Sequence, residues 1–113
     1  MIEHSRTEYP NEACGILSGK GNRVLRLYRM TNTDKSPTTY FMDSREQFAV
    51  MRDLRERELE MVGIYHSHVS TPACPSVRDI QMSFYPDALY VIVSLENMSS
   101  PEVRGFFVNE EIK

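Results

Sequence analysis

Hydrophobic residues first gather at 13–18, Ala-Cys-Gly-Ile-Leu-Ser, a brief apolar run closed by Gly19, Lys20, Gly21 and Asn22. Val24, Leu25, Leu27, Tyr28 and Met30 resume on the far side, which predicts a β-hairpin. Residues 31–39 are rich in Thr, Asn, Asp, Ser and Pro and read as a loop, after which Tyr40, Phe41 and Met42 suggest a short strand. From Ser44 the period becomes helical. Ser44 stands three residues before Gln47 as in a capping box, and Phe48, Met51 and Leu54 follow as an apolar stripe that Met61 extends, opposite Arg52, Arg55, Glu56 and Glu60. The helix is predicted to end near Glu60, because residues 61–65, Met-Val-Gly-Ile-Tyr, are a compact apolar run of the kind buried in a sheet centre. A second buried strand falls at 89–93, Leu-Tyr-Val-Ile-Val, with 103–108 as its neighbour beyond a turn at 97–101. The first nine residues predict only the end of a short helix. Strands interleaved with one good helix give an α/β or α+β fold with a mixed sheet.

Composition narrows the classes of function. The chain has 113 residues, 41% hydrophobic and 26% charged, which suits one continuous domain over residues 1–113 without repeats or linkers. No apolar run approaches the roughly 18 to 20 residues of a membrane helix. The first six residues, Met-Ile-Glu-His-Ser-Arg, lack a basic region followed by an apolar one, so a cytoplasmic protein is expected. With two cysteines, Cys14 and Cys74, and a reducing compartment, no disulfide is expected. The net charge of −3 with interspersed signs leaves no broad basic footprint for nucleic acid. A domain of this size buries only about two-thirds of its unfolded surface, so a bound metal or partner would matter to its stability.

Candidate chemistry begins directly after the 61–65 run. His66 and His68 are two positions apart, so on an extended chain both imidazoles project to the same side. Seven residues intervene before Ser76, and two more before Asp79. Two neutral imidazoles and a carboxylate suit zinc, and three protein ligands leave the fourth tetrahedral position open, as in catalytic sites. An ordinary structural account also exists: two polar residues at a strand end, and Ser76 capping a helix with Asp79 in its first turn. The two accounts are compatible, since a first-turn carboxylate facing the strand end is placed to reach a cation held by the histidines.

The whole string, His66-Ser67-His68, seven residues, Ser76, two residues, Asp79, resembles the JAMM or MPN+ signature of zinc-dependent isopeptidases. Residues 11–17, Asn-Glu-Ala-Cys-Gly-Ile-Leu, look like the upstream segment that carries that family's glutamate. The resemblance runs in order across roughly residues 4 to 108. It implies that His66, His68 and Asp79 bind Zn2+, that Glu12 is the general acid/base, and that Ser76 donates a hydrogen bond to the developing oxyanion. It also implies a cytidine-deaminase-like sandwich with a mixed sheet between helices. The family's first helix looks short here and the insertions with which eukaryotic relatives grip ubiquitin are not seen, so the chain is similar to the compact bacterial and archaeal branch. The implied partner is a small ubiquitin-like or sulfur-carrier protein ending in Gly-Gly, whose tail lies extended along a strand edge and is hydrolysed at the amide after it.

Chemistry gives these roles independent sense. Zinc eases deprotonation of water and polarises a carbonyl, but a base must still collect the proton and return it to the leaving amine, a task that fits a carboxylate. A hydroxyl such as that of Ser76 can cap through its oxygen or donate to an oxyanion. Cys74, beside Pro75, reads as a small loop residue rather than a ligand or nucleophile, and Cys14 as packing. Two rival functions are a differently specific enzyme, such as a small-peptide amidase, and a non-enzymatic interaction scaffold.

Overall fold

The computed structural model describes residues 1–21, 23–81, 85 and 87–107. Its elements are α1 (Ile2–Glu8), β1 (Cys14–Lys20), β2 (Arg23–Met30), α2 (Ser44–Glu56), β3 (Glu60–His68), α3 (Val77–Gln81), β4 (Leu89–Ser94) and β5 (Glu102–Phe106). The strands form one mixed sheet in the order β2-β1-β3-β4-β5. The β3 and β4 pair is parallel and the other pairs are antiparallel. The expected hairpin is the β1 and β2 pair, turned at Gly21 with φ +58°. Asn22 in that turn, and Val108 at the expected end of the last strand, lie outside the described residues.

Helices lie on both faces of the sheet. On one, Val50 and Leu54 of α2 pack with Cys14, Ile16, Met30, Ile64 and Tyr90. On the other, Leu17, Tyr65 and Val91 form a second cluster. There α1 docks through His4, whose Nδ1 pairs with the Tyr65 hydroxyl at 2.7 Å. Gly15 is required at this contact, because a methyl group in its place would overlap the Tyr65 ring. Among the described residues no helix is long and apolar enough to cross a membrane.

The helix between the hairpin and β3 differs from expectation at both ends. Asp43, not Ser44, is its cap, accepting from the Arg45 and Glu46 main-chain N–H groups at 2.9 and 3.1 Å. The helix stops at Glu56, and Glu60 already belongs to β3. Glu58 takes φ +56°, while Leu59 N donates to Leu54 O and Glu58 N to Arg55 O. That is a Schellman closure, normally announced by glycine, with Leu59 packing back on the core. The buried stripe is Val50 and Leu54 with Met51 at its flank, whereas Phe48 is 69% exposed. Spacing of i, i+4 in fact follows the face that meets the sheet, and Phe48 lies off it. Residues 40–42 form no strand and contribute only an isolated bridge, Asn32 to Met42.

A parallel strand pair needs a crossover, because β3 and β4 run the same way and the chain must return from the end of one to the start of the other. This crossover leaves the sheet at His68 and carries Ser76 and α3. It is what brings Asp79 back over the end of β3.

Candidate active site

His66 and His68 are the last inward-facing residues of β3, on the same face as Ile64, which packs with α2. Both are buried, at 1% and 6% exposure. Their Nε2 atoms stand 3.2 Å apart. Asp79 completes the group, with Oδ1 at 3.2 Å from His66 Nε2 and Oδ2 at 2.9 Å from His68 Nε2. One ligand atom from each of the three lies within 4.8 Å of the others. Two basic nitrogens and an anion thus converge on a space that one positive centre would satisfy, which fits a cation.

Surrounding groups orient these donors. His68 Nδ1 donates to the Pro72 carbonyl at 2.9 Å, so in the neutral ring the Nε2 lone pair faces the cluster. The crossover that supplies Pro72 is tied down in turn: Ser94 Oγ donates to Thr71 O at 2.6 Å, and Leu95 N to His68 O at 2.9 Å. Tyr40 stacks on the His66 ring with centroids 4.7 Å apart and planes 23° from parallel. Among the described residues His66 Nδ1 is buried without a polar partner, so stacking and packing hold that ring.

Ser76 and Asp79 bond reciprocally: Asp79 N donates to Ser76 Oγ at 3.0 Å and Ser76 N to Asp79 Oδ2 at 2.9 Å. Capping uses a lone pair of the Ser76 hydroxyl and leaves its proton available to donate elsewhere. The structural and chemical readings of Ser76 therefore do not compete. Burial opposes ionisation of Asp79, but its hydrogen bonds with His66, His68 and the Ser76 main chain prevail, and its carboxyl is held well below the usual carboxylate range. Burial likewise works against a charged His68, yet the Asp79 carboxylate and Pro72 carbonyl raise its pKa above the ordinary value.

Glu12 faces the same cleft from just before β1. It is 4% exposed, and burial pushes its carboxyl up to about 8 against the pull of His68. Glu12, His68 and Ser76 line one cavity of about 160 Å³ with Pro37, Thr38 and the start of the crossover. All five residues singled out from the sequence thus fall at one end of the sheet. Cys74 is exposed and Cys14 buried, both as free thiols, and burial pushes the Cys14 thiol up to about 12. Neither belongs to the cation cluster among the described residues.

Sequence reasoning missed Tyr40, Ser67 and Asn32. Ser67 Oγ accepts from Ala13 N at 2.7 Å, anchoring the chain beside Glu12. Buried Asn32 joins the Glu12 carbonyl to the 32–41 segment. Ser67 was visible only as the spacer of a His-x-His pair. Asn32 sits in a polar stretch that any surface turn would resemble.

Known proteins resemble this chain over most of their length. The CysO-cysteine peptidase of Mycobacterium tuberculosis is 42% identical over 108 residues, 94% of this chain and 74% of that protein. A desampylase of Pyrococcus furiosus is 38% identical over 103 residues, 90% of this chain and 70% of the relative. A solution structure of a Desulfitobacterium hafniense protein matches with a TM-score of 0.87 at 38% identity, over 98% of this chain and 79% of that one. Residues 1–108 match the model for prokaryotic homologs of the JAB domain, and the chain belongs to that family.

Proposed function

We propose that this protein is a zinc-dependent peptidase that hydrolyses the amide bond after the Gly-Gly tail of a small ubiquitin-like or sulfur-carrier protein. The observation that carries the reading is the shared cleft: Glu12, His68 and Ser76 line one cavity, and the His66, His68 and Asp79 donors converge at its side. His66 Nε2, His68 Nε2 and an Asp79 oxygen are the proposed zinc ligands. The two Nε2 atoms stand 3.2 Å apart, Asp79 Oδ1 lies 3.2 Å from His66 Nε2 and Asp79 Oδ2 2.9 Å from His68 Nε2, and one donor atom from each residue lies within 4.8 Å of the others, a spacing that one cation could bridge. Bound zinc would supply Lewis acidity, polarising a scissile carbonyl and easing deprotonation of water in the cleft.

The remaining chemistry belongs to the chain's own groups. Glu12, in its ionised form, takes the proton of the attacking water and returns it to the departing amine. Ser76 donates its free O–H to the carbonyl oxygen as negative charge grows there. Because β3 is paired on both edges, a tail would cross its end rather than add to it as a strand, and a passage between the Glu12 and His66 sides would admit glycine most readily. The peptidase name of the M. tuberculosis relative favours hydrolysis over a scaffold role. The free thiols suit a reducing, cytoplasmic setting.

Mass spectrometry tests the reading with a carrier ending in Gly-Gly extended by one amino acid, its Gly-to-Leu variant at the final glycine, and the isolated tail peptide. The expected result is release of the extension from the first, with the variant at least about tenfold slower, or about 1.4 kcal/mol in the transition state. Equal cleavage of all three would indicate a general peptidase. No cleavage of any by the zinc-loaded protein would leave the scaffold.

A further inference from the structure

Glu12 lies just outside the β1 and β3 ladder, whose last register pair is Cys14 with His66. Beyond it the two chains are joined at Ala13, through Ser67 N to Ala13 O at 3.0 Å and Ala13 N to Ser67 Oγ at 2.7 Å. The two peptide groups that flank the Glu12 side chain are held instead by the 32–41 segment. Glu12 N donates to Ser36 O at 2.8 Å, and Asn32 Nδ2 donates to Glu12 O at 3.0 Å.

Asn32 is 5% exposed, and its side chain makes four hydrogen bonds among the described residues. Nδ2 also donates to Thr39 O at 3.0 Å, while Oδ1 accepts from Asp34 N at 3.0 Å and Phe41 N at 3.1 Å. Two carbonyls on one side and two N–H groups on the other fix the amide's orientation and require an amide: aspartate could keep the acceptor bonds but not the donor bonds. One side chain thus fastens the carbonyl of Glu12 and that of Thr39, next to the Tyr40 ring stacked on His66. Pro37 and Thr38 of the same segment line the cleft.

We propose that Asn32 is a positioning residue for Glu12: its amide locks the Glu12 main chain to the 32–41 wall and so sets where the carboxylate stands in the cleft. This rests on Glu12 being the acid/base of the proposed reaction. Placement errors near 1 Å cost about 10² in rate, so a residue that never touches substrate can govern turnover in this way.

The test is a double-substitution cycle of Asn32→Asp and Glu12→Gln, assayed on the Gly-Gly carrier extended by one amino acid, with zinc content and melting curves recorded for each variant. Asn32→Asp alone is expected to lower kcat at least about tenfold with KM within about threefold and zinc near one per chain. In the Glu12→Gln background the same substitution should change the residual rate by less than about twofold, because nothing remains to position. An equal loss in both backgrounds, loss of zinc, or a parental rate for Asn32→Asp while Glu12→Gln is impaired would each overturn the positioning role and leave the Glu12 reading standing. An unimpaired Glu12→Gln would sink both. If Asn32→Asp does not fold, the smaller, neutral Asn32→Ser replaces it under the same criteria, and failure of both to fold would make Asn32 a folding residue and overturn the proposal.

Discussion

On the β1 side of the cleft, burial pushes the Glu12 carboxyl up to about 8. On the crossover side Asp79 is also screened from solvent, yet hydrogen bonds involving His66, His68 and the Ser76 main chain hold its carboxyl well below the usual range. The same functional group is therefore driven toward opposite protonation states on the two sides. A carboxyl that changes protonation near neutral pH suits proton transfer, whereas one that stays ionised between two imidazoles suits a cation. The difference arises from neighbours rather than depth: Asp79 is surrounded by donors, and Glu12 has chiefly burial acting on it.

The largest expected effect comes from dismantling the cation side. A His66→Ala, His68→Ala double variant should fall from about one zinc per chain to near zero and lose turnover, with metal analysis as the check. Stripping zinc from the parent should lower its melting temperature. A ligand bound only by the native state at about 100 times its Kd stabilises by about 2.7 kcal/mol, and the double variant should show no such zinc response. Full zinc content in the double variant would place the metal elsewhere.

Glu12→Gln should do the opposite: keep the zinc and lose about 10² to 10⁴ in turnover, because an amide cannot accept the water's proton. It should also stabilise the metal-free fold. Glu12 has a folded pKa raised above its unfolded value, so its contribution is fully present below about 4.5 and is lost as pH rises through about 8. Glutamine does not titrate, so the variant's advantage should be absent at low pH and grow to at least about 1 kcal/mol above pH 8. Melting curves in chelator across pH 5 to 9 provide the check. A variant equally stable and equally active would remove the contrast between the two sides.

The cation side was far more legible in sequence than the acid/base side. His66, His68, Ser76 and Asp79 fall in one short stretch whose spacing follows from a strand end and a helix start. Glu12 looked like any acid before a strand, and only its family resemblance distinguished it. What sets its position, Asn32 and Ser67, acts through main-chain atoms from distant segments and leaves no periodic trace. The strands were readable because buried runs such as 61–65 and 89–93 have no other use in a small domain. The ends of α2 were less so. Ser44 reads as the cap although Asp43 before it takes that place, and the left-handed Glu58 stopped the helix without the glycine that usually marks such a stop.

Ser76→Ala is an intermediate case, because the residue belongs to both accounts of its side. Losing the cap should cost about 1 kcal/mol. Losing the free O–H should lower kcat by a comparable or smaller factor than Glu12→Gln, up to about 10², with KM little changed. Thermal melts and steady-state kinetics separate the two, and a stability loss at parental kcat would leave Ser76 as a cap alone.

The smallest effect is expected at Cys74. Its main-chain N–H donates to the Pro72 carbonyl at 2.8 Å, the same carbonyl that receives His68 Nδ1, so the residue's backbone belongs to the turn that orients a proposed ligand. Its side chain is exposed and outside the cation cluster. Serine preserves the backbone bond and nearly the same volume, so Cys74→Ser should retain zinc and stay within about threefold of parental turnover, with stability inside the about 0.5 kcal/mol typical of surface changes. Complete loss of activity would mean that the thiol itself is a ligand or nucleophile, and that the cation side of the cleft extends one loop further than its three donors.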